Sequence, residues 1–119
     1  MSDEITLSVR FDVTNGSYAP GSINLSNLQF DQAAIGADER IQSVGTSEET
    51  LGEALSTTGW LFMRNLDGTN YVEWGPATNT YVGRLEAGEF AIFRTIPAAT
   101  IYIKANTAAC DVWYRWLED

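Results

Sequence analysis

The sequence predicts an all-β protein, a two-sheet antiparallel β-sandwich, and two observations carry that expectation. Apolar and polar side chains alternate at period two in one segment after another, and the turn-forming pairs Asn15-Gly16, Pro20-Gly21, Asp67-Gly68 and Gly75-Pro76 punctuate the alternation at short intervals. Period 3.6 surfaces once, where Thr46-Ser47-Glu48-Glu49 has the form of a helix cap ahead of Leu51, Ala54 and Leu55, and Gly52 weakens that reading. A chain of 119 residues is long enough for one core and too short for two, so residues 1–119 are read as a single sandwich domain. About eight to ten short strands fit that length.

The elements follow in order. Residues 5–13 put Ile5, Leu7, Val9, Phe11 and Val13 on one side and Thr6, Ser8, Arg10 and Asp12 on the other, a half-buried strand. Residues 23–30 alternate at Ile23 and Leu25 and then shift parity at Leu28 and Phe30, which a β-bulge near Ser26-Asn27 reconciles. Residues 31–58 hold few large apolar side chains; short strands over 40–46 and 50–56 are preferred there to the capped helix. From Gly59 onward the pattern sharpens into strands over 60–65, 70–74, 81–85, 89–95, 100–105 and 111–117, divided by DG, GP, EAG, IPAA and ANTAA.

Composition narrows the function classes. A hydrophobic fraction of 45%, with four tryptophans, five tyrosines and five phenylalanines, excludes a disordered chain. Sixteen carboxylates face seven bases, a net charge of −9, so the surface repels nucleic acid and anionic membranes. The excess is concentrated in residues 1–59, which hold nine acids against two bases; it serves solubility or awaits a basic partner. No stretch approaches the length of a membrane span, and the start MSDEITLSVRF is acidic, so neither a transmembrane helix nor a signal peptide is expected. Cys110 is the sole cysteine, which rules out an intrachain disulfide, suits a reducing cytoplasm and reads as a buried structural thiol.

The segment Asn65-Leu-Asp-Gly-Thr-Asn-Tyr-Val-Glu-Trp-Gly75 poses the sharpest question about a site. Asp67, Thr69 and Asn70 beside Trp74 could offer oxygens to a metal or a sugar; alternatively, Asp67-Gly68 is the tight turn of a hairpin, with Gly at positive φ. Only Asp67 is acidic between Asn65 and Val72, too few carboxylates for a calcium loop, so the structural turn is preferred and no metal is expected. With no histidine, histidine-based triads and metal clusters are impossible, and no nucleophile elbow or phosphate-binding glycine loop is present. Glu48 with Glu49, or Glu86 with Glu89, could in principle form a glycosidase pair, but they lie in turn-like segments and are expected to face water. The reading is therefore no enzyme and no cofactor.

The aromatic residues remain. In Asp-Val-Trp-Tyr-Arg-Trp-Leu, residues 111–117, Val112, Tyr114 and Trp116 share one face while Trp113, Arg115 and Leu117 share the other. Both faces are apolar-rich. The second meets another subunit, a stacked sugar, or the protein's own core with Arg115 stretched over an aromatic ring. Trp113, Arg115 and Leu117, with Trp60 and Trp74, are the candidate interface residues.

The later part of the chain resembles a group of small virion-associated proteins of tailed bacteriophages. The likeness rests on Asn65-Leu66-Asp67 with Thr69-Asn70, on Leu85 with Gly88-Glu89 and Arg94, and on Tyr114 with Glu118, and Val44-Gly45-Thr46 and Glu48-Glu49 extend it over most of residues 40–119. It departs from the group's pattern in Trp60, Trp74 and Trp113. The resemblance implies a jelly-roll-like sandwich used as a structural part of the virion, assembled in the bacterial host cytoplasm. The role it implies is that of a capsid decoration or cement protein, a homotrimer whose partners are its own copies and the major capsid protein. A tail or neck part, or a receptor-binding module that stacks carbohydrate on exposed tryptophans, is the alternative.

Overall fold

The computed structural model describes residues 3–119; Met1 and Ser2, at the head of the acidic amino-terminal segment, lie outside them. Among the described residues every strand pair is antiparallel and no helix occurs, so the thermodynamic core is built by sheets alone. The chain divides into two compact units, with the boundary between Ala33 and Ala34.

The first unit is a hairpin of β1 (Ile5–Phe11) and β2 (Ile23–Phe30). Its register steps two residues along β1, from Leu7 to Val9, while it steps three along β2, from Leu28 to Leu25. The extra residue is the bulge expected near Ser26-Asn27: Asn27 has φ of 53° and gives its amide to Ser8 Oγ at 3.0 Å. Its consequence is chemical. With the bulge in place Ile5, Leu7, Val9 and Phe11 stand opposite Phe30, Leu28, Leu25 and Ile23, so both strands present their apolar residues on one face. Carboxylates fix the base, where Asp31 accepts from the Asp3 amide at 2.8 Å and Glu4 from the Gln32 amide at 3.2 Å. Beyond the strands Asn15 and Tyr18 exchange two backbone hydrogen bonds of 2.9 Å around Gly16, whose φ of 62° is the positive value that such a two-residue turn requires.

The second unit contains β3 (Ala37–Val44), β4 (Glu49–Thr50), β5 (Thr58–Asn65), β6 (Val72–Gly75), β7 (Gly83–Leu85), β8 (Phe90–Arg94), β9 (Tyr102–Ala105) and β10 (Cys110–Glu118). One four-stranded sheet runs β3-β10-β5-β8 and the other β4-β9-β6-β7. Both contribute to one core, in the manner of a sandwich. Val44, Leu61, Met63, Val112, Tyr114 and Trp116 come from the first sheet, and Val72, Ile103 and Ala105 from the second. Tyr114 and Trp116 have no exposed surface, and burial of each ring stabilises the fold by roughly 2 to 3 kcal/mol. Their polar atoms are satisfied inside: the Tyr114 hydroxyl donates to the Gly52 carbonyl at 2.6 Å, and Trp116 Nε1 to Thr95 Oγ1 at 3.2 Å.

Two expectations need correction. The strand expected over 50–56 is only Glu49–Thr50, and the chain from Leu51 to Thr57 runs without regular structure, tied by the Leu51 amide to the Ile101 carbonyl at 3.0 Å. The Asp67-Gly68 turn is no hairpin. It joins β5 to β6, which belong to different sheets, so the segment carries the chain across the core instead of back along it.

Candidate functional site

The outer face of the β3-β10-β5-β8 sheet gathers most of the residues singled out in the sequence. β10 pairs Trp113 with Ile41 and Arg115 with Glu39 on one side, and Trp113 with Arg64 and Arg115 with Phe62 on the other. β5 then pairs Phe62 with Ile92, Arg64 with Phe90 and Trp60 with Arg94 on β8. Directly opposed residues point to the same face. Trp113, Arg115, Leu117 and Trp60 therefore lie on one surface with Phe62, Ile92, Phe90 and Ile41.

The geometry within this face is ordered. The Phe62 and Trp113 rings meet edge to face at 5.0 Å, and Phe90 stands 6.2 Å from Phe62. Trp113 Nε1 donates to Glu39 Oε2 at 2.9 Å while Arg115 Nε donates to Glu39 Oε1 at 2.8 Å. These donors hold the Glu39 carboxyl below the usual carboxylate range, the Arg115 bond being the larger cause. Arg115 thus pairs with an acid instead of covering an aromatic ring. Ile41, Leu66, Trp113, Glu39 and Arg40 enclose a shallow depression of about 540 Å³. Ile41 and Phe90 are 62% and 61% exposed, so the apolar surface is open on both sides of Trp113.

Trp74 does not belong to this surface. It lies on β6 opposite Ile103, its ring stacks on Phe93 at 5.0 Å and 9°, and it rests on Gly83, where a Cβ would fall inside the indole. Val72, two residues earlier on the same strand face, is fully buried. Trp74 is half-buried and packs against the margin of the core.

The side-chain oxygens of Asn65, Asp67 and Asn70 are engaged by neighbouring protein groups, while Thr69 is exposed. Asp67 Oδ2 accepts from the amides of Thr69 and Asn70 at 2.9 and 2.6 Å, and these bonds hold its carboxyl below the ordinary range. Asn65, without exposed surface, gives Nδ2 to the carbonyls of Asn70, Leu85 and Glu86 and receives the Asp67 amide on Oδ1. Asn70 Oδ1 accepts from the Thr107 hydroxyl at 2.8 Å. The loop is a network that satisfies itself, with Asp67 serving the turn. Gly68 does not adopt positive φ, so glycine is not demanded there.

The acid pairs diverge. Glu48 Oε2 accepts from the Asn79 amide and the Tyr81 hydroxyl, whereas Glu49 accepts from Gln42 Nε2 and the Gly45 amide. The Glu48 contact raises the Tyr81 hydroxyl to about 12. Glu89 Oε1 closes its own turn on the Glu86 amide at 2.8 Å, and Glu86 lies 3.6 Å from Arg84. Neither pair aims two carboxyls across a cleft. Cys110 is buried, its thiol pushed up chiefly by desolvation. Ile41, Phe62 and Phe90 are the surface residues that the sequence reading missed, because their place depends on strand register; Phe62, sharing strand parity with Trp60, was the one within reach. Comparison with protein-family models, with characterised proteins and with solved structures finds no match to this chain.

Proposed function

We propose that this protein is a non-catalytic structural component of a virion, a jelly-roll sandwich that assembles with its own copies and adheres to a protein shell as a decoration or cement protein. The reading rests on the sequence resemblance, and one observation of the fold supports it above the others. Counting β3 as the first strand and β10 as the eighth, the two sheets run 1-8-3-6 and 2-7-4-5. That is the order produced when a folded-over antiparallel ribbon is wound into two Greek keys, the jelly-roll pattern used by capsid and lectin domains. The connectivity does not itself choose between those uses, since folds host many functions.

The outer sheet face favours assembly. Trp113, Phe62 and Phe90 cluster around Arg64, with the Arg115–Glu39 pair at their border, an aromatic surface with polar groups of the kind that interfaces use. The depression beside Trp113 supports the second reading, a carbohydrate-binding tip. Both are tested together. Purified protein incubated with undecorated capsids should co-sediment with them and leave a glycan array unlabelled, and mass spectrometry of intact particles should find the chain in hundreds of copies. Binding to glycans with no capsid association would transfer the assignment to receptor recognition.

A further inference from the structure

Strand β8 leaves one side of its backbone unused. The Asn65 amide donates to the Glu89 carbonyl and the Thr95 amide to the Gly59 carbonyl, each at 2.9 Å, so the residues flanking β8 turn their main-chain groups toward β5. Pairing is regular between them, and alternation along an antiparallel ladder sends the N–H and C=O groups of Ala91 and Phe93 the same way. The N–H and C=O groups of Phe90, Ile92 and Arg94 therefore point away from the sheet, and among the described residues β8 has no second strand beside it. The side chains alternate as well. Ala91 and Phe93 stand opposite the buried Met63 and Leu61, whereas Phe90, Ile92 and Arg94 stand opposite Arg64, Phe62 and Trp60 on the outer face. An open edge of this kind is a template for one more strand.

We propose that the strand added there is β8 of a second copy, paired antiparallel about a two-fold axis at Ile92. The way β8 fits itself selects this occupant and this register. Phe90 meets the second copy's Arg94, Ile92 meets its own counterpart and Arg94 meets Phe90, so every outward-facing residue of both strands is bonded. A shift of the register by two residues either way sets Arg94 against Gly88 or Phe90 against Ile96, whose main-chain groups already bond to Asn65 and Ala99. Sizes complement one another across the axis. Phe93 stands across from the second copy's Ala91, and just beyond the strand Ile96, 76% exposed, comes beside Gly88, where no atom lies within 4 Å of a Cβ position. Like charges are kept apart: Arg94, the single charge of β8, faces Phe90, and Glu89 faces Thr95. Phe90 and Ile92 of both copies then meet on the outer face beside Phe62, and the two four-stranded sheets become one. A self-complementary contact of this kind closes at two copies. The inference rests on the reading that the protein assembles with its own copies, and it names the strand through which they meet.

Sedimentation equilibrium of the full chain tests it. The wild type should give twice the 13.1 kDa mass of one chain. Ile92→Lys and Ile92→Glu each set two like charges directly across the axis, so each variant alone should sediment as a monomer while circular dichroism still reports β-structure. Mixing the two variants is the decisive arm. Residue 92 meets only its own counterpart, so lysine then faces glutamate and the two-chain species should return, which mixing two misfolded chains would not achieve. A mixture that stays monomeric overturns the proposal. Variants at Ile92 that still associate singly, or a wild-type trimer, would remove β8 as the contact and leave assembly itself standing, whereas a monomeric wild type would remove both. Attachment to capsids is read separately, by co-sedimentation.

Discussion

Asn65 offers the clearest test of how the crossing between the two sheets is held. It ends β5, has no exposed surface, and its Nδ2 donates to the Asn70 carbonyl at 2.8 Å, the Leu85 carbonyl at 3.1 Å and the Glu86 carbonyl at 3.3 Å. Its Oδ1 accepts from the Asp67 amide at 3.0 Å. Asn65→Ala deletes these bonds and strands the Leu85 carbonyl and the Asp67 amide where water enters poorly. At about 1 kcal/mol for each bond, and more for a group left unsatisfied, the loss should be on the order of 3 kcal/mol. With a urea slope of about 1.5 kcal/mol per molar, the midpoint should fall by roughly 2 M. Tryptophan fluorescence follows the transition, since Trp116 is in the core. Asn65→Asp sharpens the test because it keeps the shape but replaces the donors by an acceptor aimed at three carbonyls. Its carboxyl must gain a proton to donate, so its folded pKa rises, and its deficit should be smallest in acid and grow as pH climbs through the ordinary carboxylate range. An Asn65→Ala variant within about 0.5 kcal/mol of wild type would refute the reasoning.

Gly83→Ala would drive a Cβ into the Trp74 indole and should cost more than about 2 kcal/mol, with part of the loss recovered in the Gly83→Ala, Trp74→Leu double variant, as urea unfolding would report. Gly68→Ala should be neutral or stabilising by about 0.5 kcal/mol, because φ is not positive and no atom lies within 4 Å of the new Cβ; a clear loss in the same assay would contradict the loop conformation. The Tyr81 hydroxyl, raised from 10.0 to about 12 chiefly by its bond to Glu48, contributes stability that is complete below pH 10 and disappears as pH climbs toward 12. An ultraviolet phenolate titration should show this late tyrosine and find it restored toward the ordinary value in Glu48→Ala. Asp67 works in the opposite sense: its lowered carboxyl stabilises above the ordinary carboxylate range and ceases to as pH falls through the folded value, so Asp67→Asn should flatten part of the acid limb of a melting profile.

The strands were legible because most are half-buried, and burial on one side imposes period two. The bulge in β2 was legible for the same reason, since a parity shift between Leu25 and Leu28 can keep one face apolar only through an inserted residue. What the sequence hid was pairing. Asp67-Gly68 has the residues of a hairpin turn, but turn chemistry is local, and the same carboxylate-to-amide bonds serve equally well when the next strand joins the opposite sheet. The place of Trp74 was missed although Val72 and Trp74 share strand parity, because a tryptophan beside polar loop residues looks exposed until its contact with Gly83 is known. Ile41 and Phe90 join Trp113 on one surface only after register aligns three separated segments.

The edges of the outer sheet extend the argument from its face. β3, at one edge, carries Asp38, Glu39 and Arg40 in succession, with Arg40 forked onto Asp38 at 2.7 and 2.8 Å. Charge of that density discourages another strand from pairing there. β8, at the other edge, reads Phe-Ala-Ile-Phe-Arg, and its single charge, Arg94, is neutralised by Asp119 at 2.7 Å. The one lysine that could blunt an edge, Lys104, lies on β9, inside the opposite sheet. Phe90 on β8 is also the exposed end of the aromatic cluster, so the weakly guarded edge and the open apolar face meet at the same corner. In the proposed assembly, that corner and not the charged β3 edge is where a neighbouring surface would meet the least resistance.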